Sequence, residues 1–372
     1  MGGGANLASV VVWSGFGLAV VFGAVAARTN FCTMGAVSDV VNMGSWGRMR
    51  MWLLAIAIAI IGATALQALG LVDLSKSIYQ RPTLNWLSFV VGGLLFGVGM
   101  TLGSGCANKT LIRIGGGSLR SVVVMVFLGI SAYATIKGLF GQWRVSLLDP
   151  VSIDLGARGF KGQDLPTLLA GVSGLPQMTA LLITAALIAG PLLVFVFKDA
   201  RFRMNRKQMM GGLVIGALIT AGWYVSGHLG YGENPETLEM VFFGTNTRAI
   251  ESFSFVAPIA YSLELLLLWT DKSLEVSFGI ASGMGIVVGS FINALASKTF
   301  NIEGFASARD TRDHIFGGIL MGFGGVTALG CTIGQGVTGF STLALGSIIT
   351  FLAIIAGAAA TMKYLYWRES GE

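Results

Sequence analysis

Gly92-Gly-Leu-Leu-Phe-Gly-Val-Gly-Met-Thr-Leu-Gly-Ser-Gly-Cys106 is an apolar, glycine-studded run that passes without a linker into the polar stretch Ala107-Asn-Lys-Thr110. The pattern returns, with no gap, in Gly317-Gly-Ile-Leu-Met-Gly-Phe-Gly-Gly-Val-Thr-Ala-Leu-Gly-Cys331. Both glycine pairs match, as do the glycines at 97 and 322, 99 and 324, and 105 and 330, and both copies end in cysteine. Self-similarity of this kind marks a repeat architecture, and transporters are often built from repeated halves. A weaker match relates Phe16-Gly17, Gly23 and Arg28-Thr-Asn-Phe-Cys32 to Phe278-Gly279, Gly289 and Lys298-Thr-Phe-Asn301, setting Asn301 opposite Cys32. The expected layout is one polytopic membrane domain over residues 1–372. It comprises repeat halves at 1–141 and 272–372 and a middle segment at 142–271.

The rest of the chain supports a membrane reading. Of its 372 residues 54% are hydrophobic and 11% charged, against about a quarter charged in an average soluble domain. A hydrocarbon core of about 30 Å needs roughly 20 apolar residues per helix. The candidate spans are Leu7–Ala27, Met51–Leu71, Trp86–Leu102, Ser121–Phe140, Thr179–Phe197, Met209–Gly227, Phe253–Trp269, Val276–Leu295, Ile315–Leu329 and Leu343–Tyr366. Several are short, so an all-α integral membrane protein of about nine or ten transmembrane helices is expected. The formal charge of +6 sits mainly in short segments between apolar runs, which is the pattern of a topology signal and not of a nucleic-acid surface. The clearest such segment, Lys198-Asp-Ala-Arg-Phe-Arg-Met-Asn-Arg-Lys207, belongs in the cytoplasm by the positive-inside rule. The acidic stretch with Glu233, Glu236 and Glu239 then falls outside.

Four glycine-bearing polar stretches interrupt apolar helices and are too short to be ordinary loops: Arg28–Asp39, Gly105–Gly117, Lys298–Asp310 and Gly330–Gly339. Irregular backbone survives in hydrocarbon only where protein buries it or water lines it, so re-entrant segments meeting at the centre are expected. The longer stretches Gln142–Pro176 and Gly232–Ser252 suit extramembrane excursions.

The three cysteines, Cys32, Cys106 and Cys331, all fall in these interruptions. They form no CxxC pair, and with two histidines in the chain neither a metal site nor a cofactor is expected. A short helix starting after each cysteine would aim free N–H groups and a positive dipole end at that point, which is an anion site. There a neutral thiol offers a weak, soft contact of about 0.5–1 kcal/mol, suited to conduction because it admits an anion and still releases it. Thr33, Asn108, Lys109, Thr332 and Gln335 are the neighbouring donors expected to help bind and pass the ligand. No run of intramembrane carboxylates suggests a proton relay, although Asp39, Glu264 and Asp310 could be placed to serve one.

At Phe31-Cys-Thr-Met-Gly-Ala-Val-Ser-Asp39, at Gly92–Thr110 and at Gly330-Cys-Thr-Ile-Gly-Gln-Gly336 the sequence resembles the YeeE/YedE family of bacterial inner-membrane proteins, and the resemblance covers most of the chain. It implies an hourglass-like helical fold with buried central loops. It also implies a thiosulfate permease for sulfur assimilation, not an enzyme, in which Cys32, Cys106 and Cys331 pass the anion along, Cys106 being the central one. A small TusA-like sulfur carrier, as a separate chain, is the partner it implies. The sequence departs from the family at Lys109, where a small or uncharged residue is usual, and at Asn30, where a basic residue is usual. The alternatives are a transporter of another sulfur or selenium species, or a membrane sulfurtransferase working through a cysteine persulfide.

Overall fold

The computed structural model describes residues 3–234, 237–305 and 307–370; Glu236 lies outside them. The helices are α1 (Gly3–Thr29), α2 (Thr33–Met43), α3 (Gly47–Ala68), α4 (Trp86–Leu102), α5 (Ala107–Gly115), α6 (Leu119–Lys137), α7 (Leu139–Trp143), α8 (Leu165–Ser173), α9 (Gln177–Lys198), α10 (Ala200–Met204), α11 (Arg206–Tyr224), α12 (Val256–Leu267), α13 (Phe278–Ala296), α14 (Ala308–Thr327) and α15 (Leu345–Ser370). Two small antiparallel ribbons join the loops, β1 (Thr83–Leu84) with β2 (Ile153–Asp154) and β3 (Tyr231–Glu233) with β4 (Met240–Phe242).

Eight helical segments are long and apolar enough to cross a membrane: those built on α1, α3, α4, α6, α9, α11, α13 and α15. The first turns of α14 carry Arg309, Asp310, Arg312 and Asp313, which lowers its apolarity, yet α14 packs along both α4 and α6 and so crosses with them. That makes nine crossings among the described residues. The run Phe253–Trp269 behaves differently. It yields the 12-residue α12, roughly 18 Å at 1.5 Å per residue, too short to span.

Helix contacts are made through glycine because hydrocarbon supplies no hydrophobic drive between helices, and close backbone approach takes its place. A side-chain carbon on Gly92 would lie 2.7 Å from the Ala328 nitrogen, and one on Gly99 would lie 2.7 Å from the Gly317 carbonyl oxygen. In return Gly324 meets the Gly92 carbonyl and Gly317 meets Gly99 and Gly103. Matched positions of α4 and α14 therefore touch each other reciprocally, with the two helices antiparallel. The next pair follows the same rule: Gly93 and Gly97 seat α15 beside α4, while their counterparts Gly318 and Gly322 seat α6 beside α14.

α1 and α13 do not obey this relation. Gly15 sits against Phe278 and Gly23 against Ile286, so these helices run in the same direction. A two-fold operation that inverts α4 into α14 cannot turn α1 into a parallel α13, and the weaker sequence match between them is not part of the same symmetry. The parallel pair α3–α11, joined where Gly212 meets Met51 and Gly216 meets Ala55, is the counterpart of α13–α1. We infer that the second half begins at α11 and not at residue 272, with α8, α9 and α10 as the connection.

The side-chain pairs fix which ends share a face. Arg48 pairs with Asp39, Arg50 with Asp199, and Arg120 with Glu303, at the end where Arg201, Arg203, Arg206 and Lys207 also gather. By the positive-inside rule this is the cytoplasmic face. At the opposite end Lys137 pairs with the buried Glu264.

The packing leads to a paired prediction on α13. A carbon at Gly289 would fall 1.9 Å from the Val20 carbonyl oxygen, whereas nothing lies within 4 Å of one at Gly283. Gly289→Ala forces α1 and α13 apart and lowers the melting temperature in detergent, at an overpacking cost of about 1–3 kcal/mol. Gly283→Ala leaves the melting temperature equal or slightly higher, since Ala is the better helix former by about 1 kcal/mol.

Candidate translocation site

Each cysteine follows the same local device. The helix before it ends in a residue of left-handed conformation, Asn30 (φ 57°), Ser104 (φ 56°) or Leu329 (φ 57°). The next amide bonds back across the last turn, Phe31 to Ala26, Gly105 to Met100 and Gly330 to Gly325. This closure consumes carbonyls that a helix end inside hydrocarbon would leave bare. Holding a non-glycine residue there costs about 1–2 kcal/mol. The cysteine comes directly after this turn and starts a new helix.

Cys32 is the N-cap of α2, and its Sγ accepts from the Gly35 N–H at 3.4 Å. Cys106 is the N-cap of α5. Cys331 precedes a short helix at 332–341 whose middle, Gly334–Gly339, is wide-turned π-helix, and its Sγ accepts from the Gly334 N–H at 3.4 Å. Interruptions of this type inside helices recur at functional sites. Three helix N-termini thus each present a thiol, and positive partial charge gathers where they converge.

The thiols form one group. Cys106 lies within electrostatic reach of both Cys32 and Cys331, with the Thr332 hydroxyl beside it. Lys109 stands near Cys32 and Cys106, and its Nζ donates to Asn30 Oδ1 at 3.0 Å. All three cysteines are buried, Cys32 at 4% exposure and the other two at 0%. Polar groups around them are unspent: the donor Nδ2 and acceptor Oδ1 of Asn108, the Thr33 and Thr332 hydroxyls and the acceptor Gln335 Oε1 are buried without a hydrogen-bond partner of normal geometry. Buried polar groups are ordinarily paired, so a cluster of open ones is where a polar ligand or water fits. Gln335 has a structural duty as well, because its Nε2 donates to the Ala328 carbonyl at the end of α14.

The fourth interruption departs from the other three. Lys298 takes the same left-handed turn (φ 53°), closed by Thr299 N–H to the Ala294 carbonyl. That register puts Phe300, and not Asn301, at the cysteine position. Phe300 is 42% exposed, and no short helix follows among the described residues before Ala308. The segment instead pairs with the α5–α6 connection, Asn301 N–H to Gly116 O and Glu303 N–H to Gly117 O, which satisfies its backbone without a return to the centre.

The sulphur transport family matches this chain over residues 28–360, a stretch that includes all three cysteine turns. The chain belongs to that family. Two thiosulfate transporters named TsuA are similar to it along nearly their whole lengths. The one from Spirochaeta thermophila is 26% identical, covering 96% of this chain and all of the relative. The one from Escherichia coli is also 26% identical, covering 96% of each.

In this sulphur transport family member one central residue escaped the sequence reading. Phe255, fully buried, is the N-terminal flank of the half-length α12, and its backbone N–H reaches the Cys331 sulfur. It holds the fourth central position with a ring in place of a thiol, packed against Phe22 and Phe253. The signal for it was the shortness of the apolar run after Phe253, which an assignment of a full span concealed. The burial leads to a labelling prediction. A bulky maleimide added to native protein in detergent modifies none of the three thiols on the timescale in which denaturation by SDS exposes all of them, as read by intact mass.

Proposed function

We propose that this chain is a bacterial inner-membrane transporter for thiosulfate, which it passes between Cys32, Cys106 and Cys331. The observation that carries this reading is the convergence of three buried thiols, each at a helix N-terminus, beside open hydrogen-bond donors. Thiosulfate presents two chemistries at once. Its oxygens carry negative charge, which helix N-termini and Lys109 attract, and its terminal sulfur is soft, which suits a thiol better than a hard oxygen donor. Neutral thiols give brief contacts, and conduction needs sites that release. The names of the two TsuA relatives support the same substrate.

Cys106 is in electrostatic contact with both other thiols, so on this reading its loss breaks the sequence of contacts. Cys106→Ala lowers thiosulfate uptake into proteoliposomes several-fold or more, since removing ~1 kcal/mol from a rate-limiting contact is worth about fivefold. Equal flux through wild type and variant, at equal incorporation, contradicts the thiol path.

A further inference from the structure

On the face opposite the basic loop a cavity of about 220 Å³ reaches inward as far as Gly330, the neighbour of Cys331. One water needs roughly 10–15 Å³ of such space, so a small hydrated dianion fits. Arg81 and Arg144 line it together with Tyr79, Asn246, Ser254 and Tyr261, and Glu251 stands among them. A carboxylate is the least expected group in a chamber leading to an anion path.

Glu251 differs from the three carboxylates singled out in the sequence. Asp39, Glu264 and Asp310 each face a cation, Arg48, Lys137 and Arg120 respectively. Glu251 accepts from the Gly279 N–H, and its Oε1 is buried with no partner. Its backbone is held to the segment after α11 by the Ser226 hydroxyl, which donates to the Glu251 carbonyl and accepts from its N–H. Burial pushes its carboxyl up to about 8. The titratable groups facing it are Tyr79 and Tyr261, each in electrostatic contact with it. Cys331 lies beyond Tyr79. Around these are Arg81, Arg144 paired to Asp149 at 3.3 Å, and the Lys137–Glu264 pair beside Tyr261. In the turn that follows α11, His228 turns away, its Nδ1 bonding to the Leu71 carbonyl.

We propose that this cavity is the outer binding site of the sulfur dianion, and that Glu251 is its proton-dependent gate, admitting the anion toward Cys331 only when the carboxyl is neutral. The proposal rests on the thiosulfate reading above. A neutral Glu251 offers a hydroxyl donor to the anion, whereas an ionised one sets a negative charge in its way at low dielectric. The sign follows directly: the neutral form dominates below the carboxyl's folded-state value and is lost as external pH rises through it.

Thiosulfate uptake into proteoliposomes is measured at clamped membrane potential with external pH stepped from 6 to 9. Wild-type uptake falls roughly tenfold between pH 7 and pH 9, as the neutral fraction of such a carboxyl does. Glu251→Gln, fixed in the neutral form, shows a flat profile and exceeds wild type at pH 9, while Glu251→Asp keeps the fall. An E251Q profile that declines as wild type does assigns the effect to thiols or tyrosines and overturns the gate. So does an inserted, thermally stable E251Q protein that carries no thiosulfate at any pH. Wild-type vesicles that take up no thiosulfate at all overturn the transport reading itself.

Discussion

A helix that stops inside hydrocarbon leaves four carbonyls on one side of the break and four N–H groups on the other, with no water to receive them. The centre of this protein is organised around that requirement. At Asn30, Ser104 and Leu329 the chain turns through a left-handed residue so that the next amide closes on the helix just ended. The following helix begins at once, and its open N–H groups face a cysteine sulfur. The turn therefore does two things: it removes unpaired acceptors from the membrane interior and leaves unpaired donors there. The unpaired polar groups at the centre, Asn108 and the Thr33 and Thr332 hydroxyls among them, are left beside these helix starts.

Such a centre is stable only if the long helices around it hold it closed, and glycine allows this. The reciprocal contacts of Gly92 and Gly99 with Gly324 and Gly317 bring α4 and α14 to backbone contact, which keeps Cys106 and Cys331 at fixed separation. Aromatic packing completes the wall on the other side, where Phe31 stacks on Trp52 with ring centres 4.5 Å apart. Charge is neutralised near the ends of the bundle, with Arg48 on Asp39 and Lys137 on Glu264. Burial of unpaired ions is costly; these two acids each face a cation, whereas Glu251 forms no ion pair among the described residues.

Much of this was legible in the linear chain. Apolar runs of about 20 residues report spans directly because the membrane sets their length, and most of the long helices came out near the expected bounds. The glycine–cysteine repeat was visible because backbone contact restricts residue choice to glycine at particular positions. Reading failed where local pattern and tertiary role part company. The run after Phe253 is apolar enough for a span, yet only α12 forms from it. The stretch after Lys298 carries the turn signal, yet its backbone is satisfied by pairing with the α5–α6 connection and it does not return inward.

The sequence by itself determined the membrane class, the approximate number of helices, the positions of the breaks and the cysteines that follow them, because each depends on residues adjacent in the chain. Which breaks meet was decided only by tertiary structure. The antiparallel sense of α4 and α14, the parallel sense of α1 and α13, and the grouping of three thiols with Phe255 all follow from helix packing. Packing joins residues hundreds of positions apart through surfaces whose composition, mostly glycine and alkyl carbon, carries no address in the linear pattern.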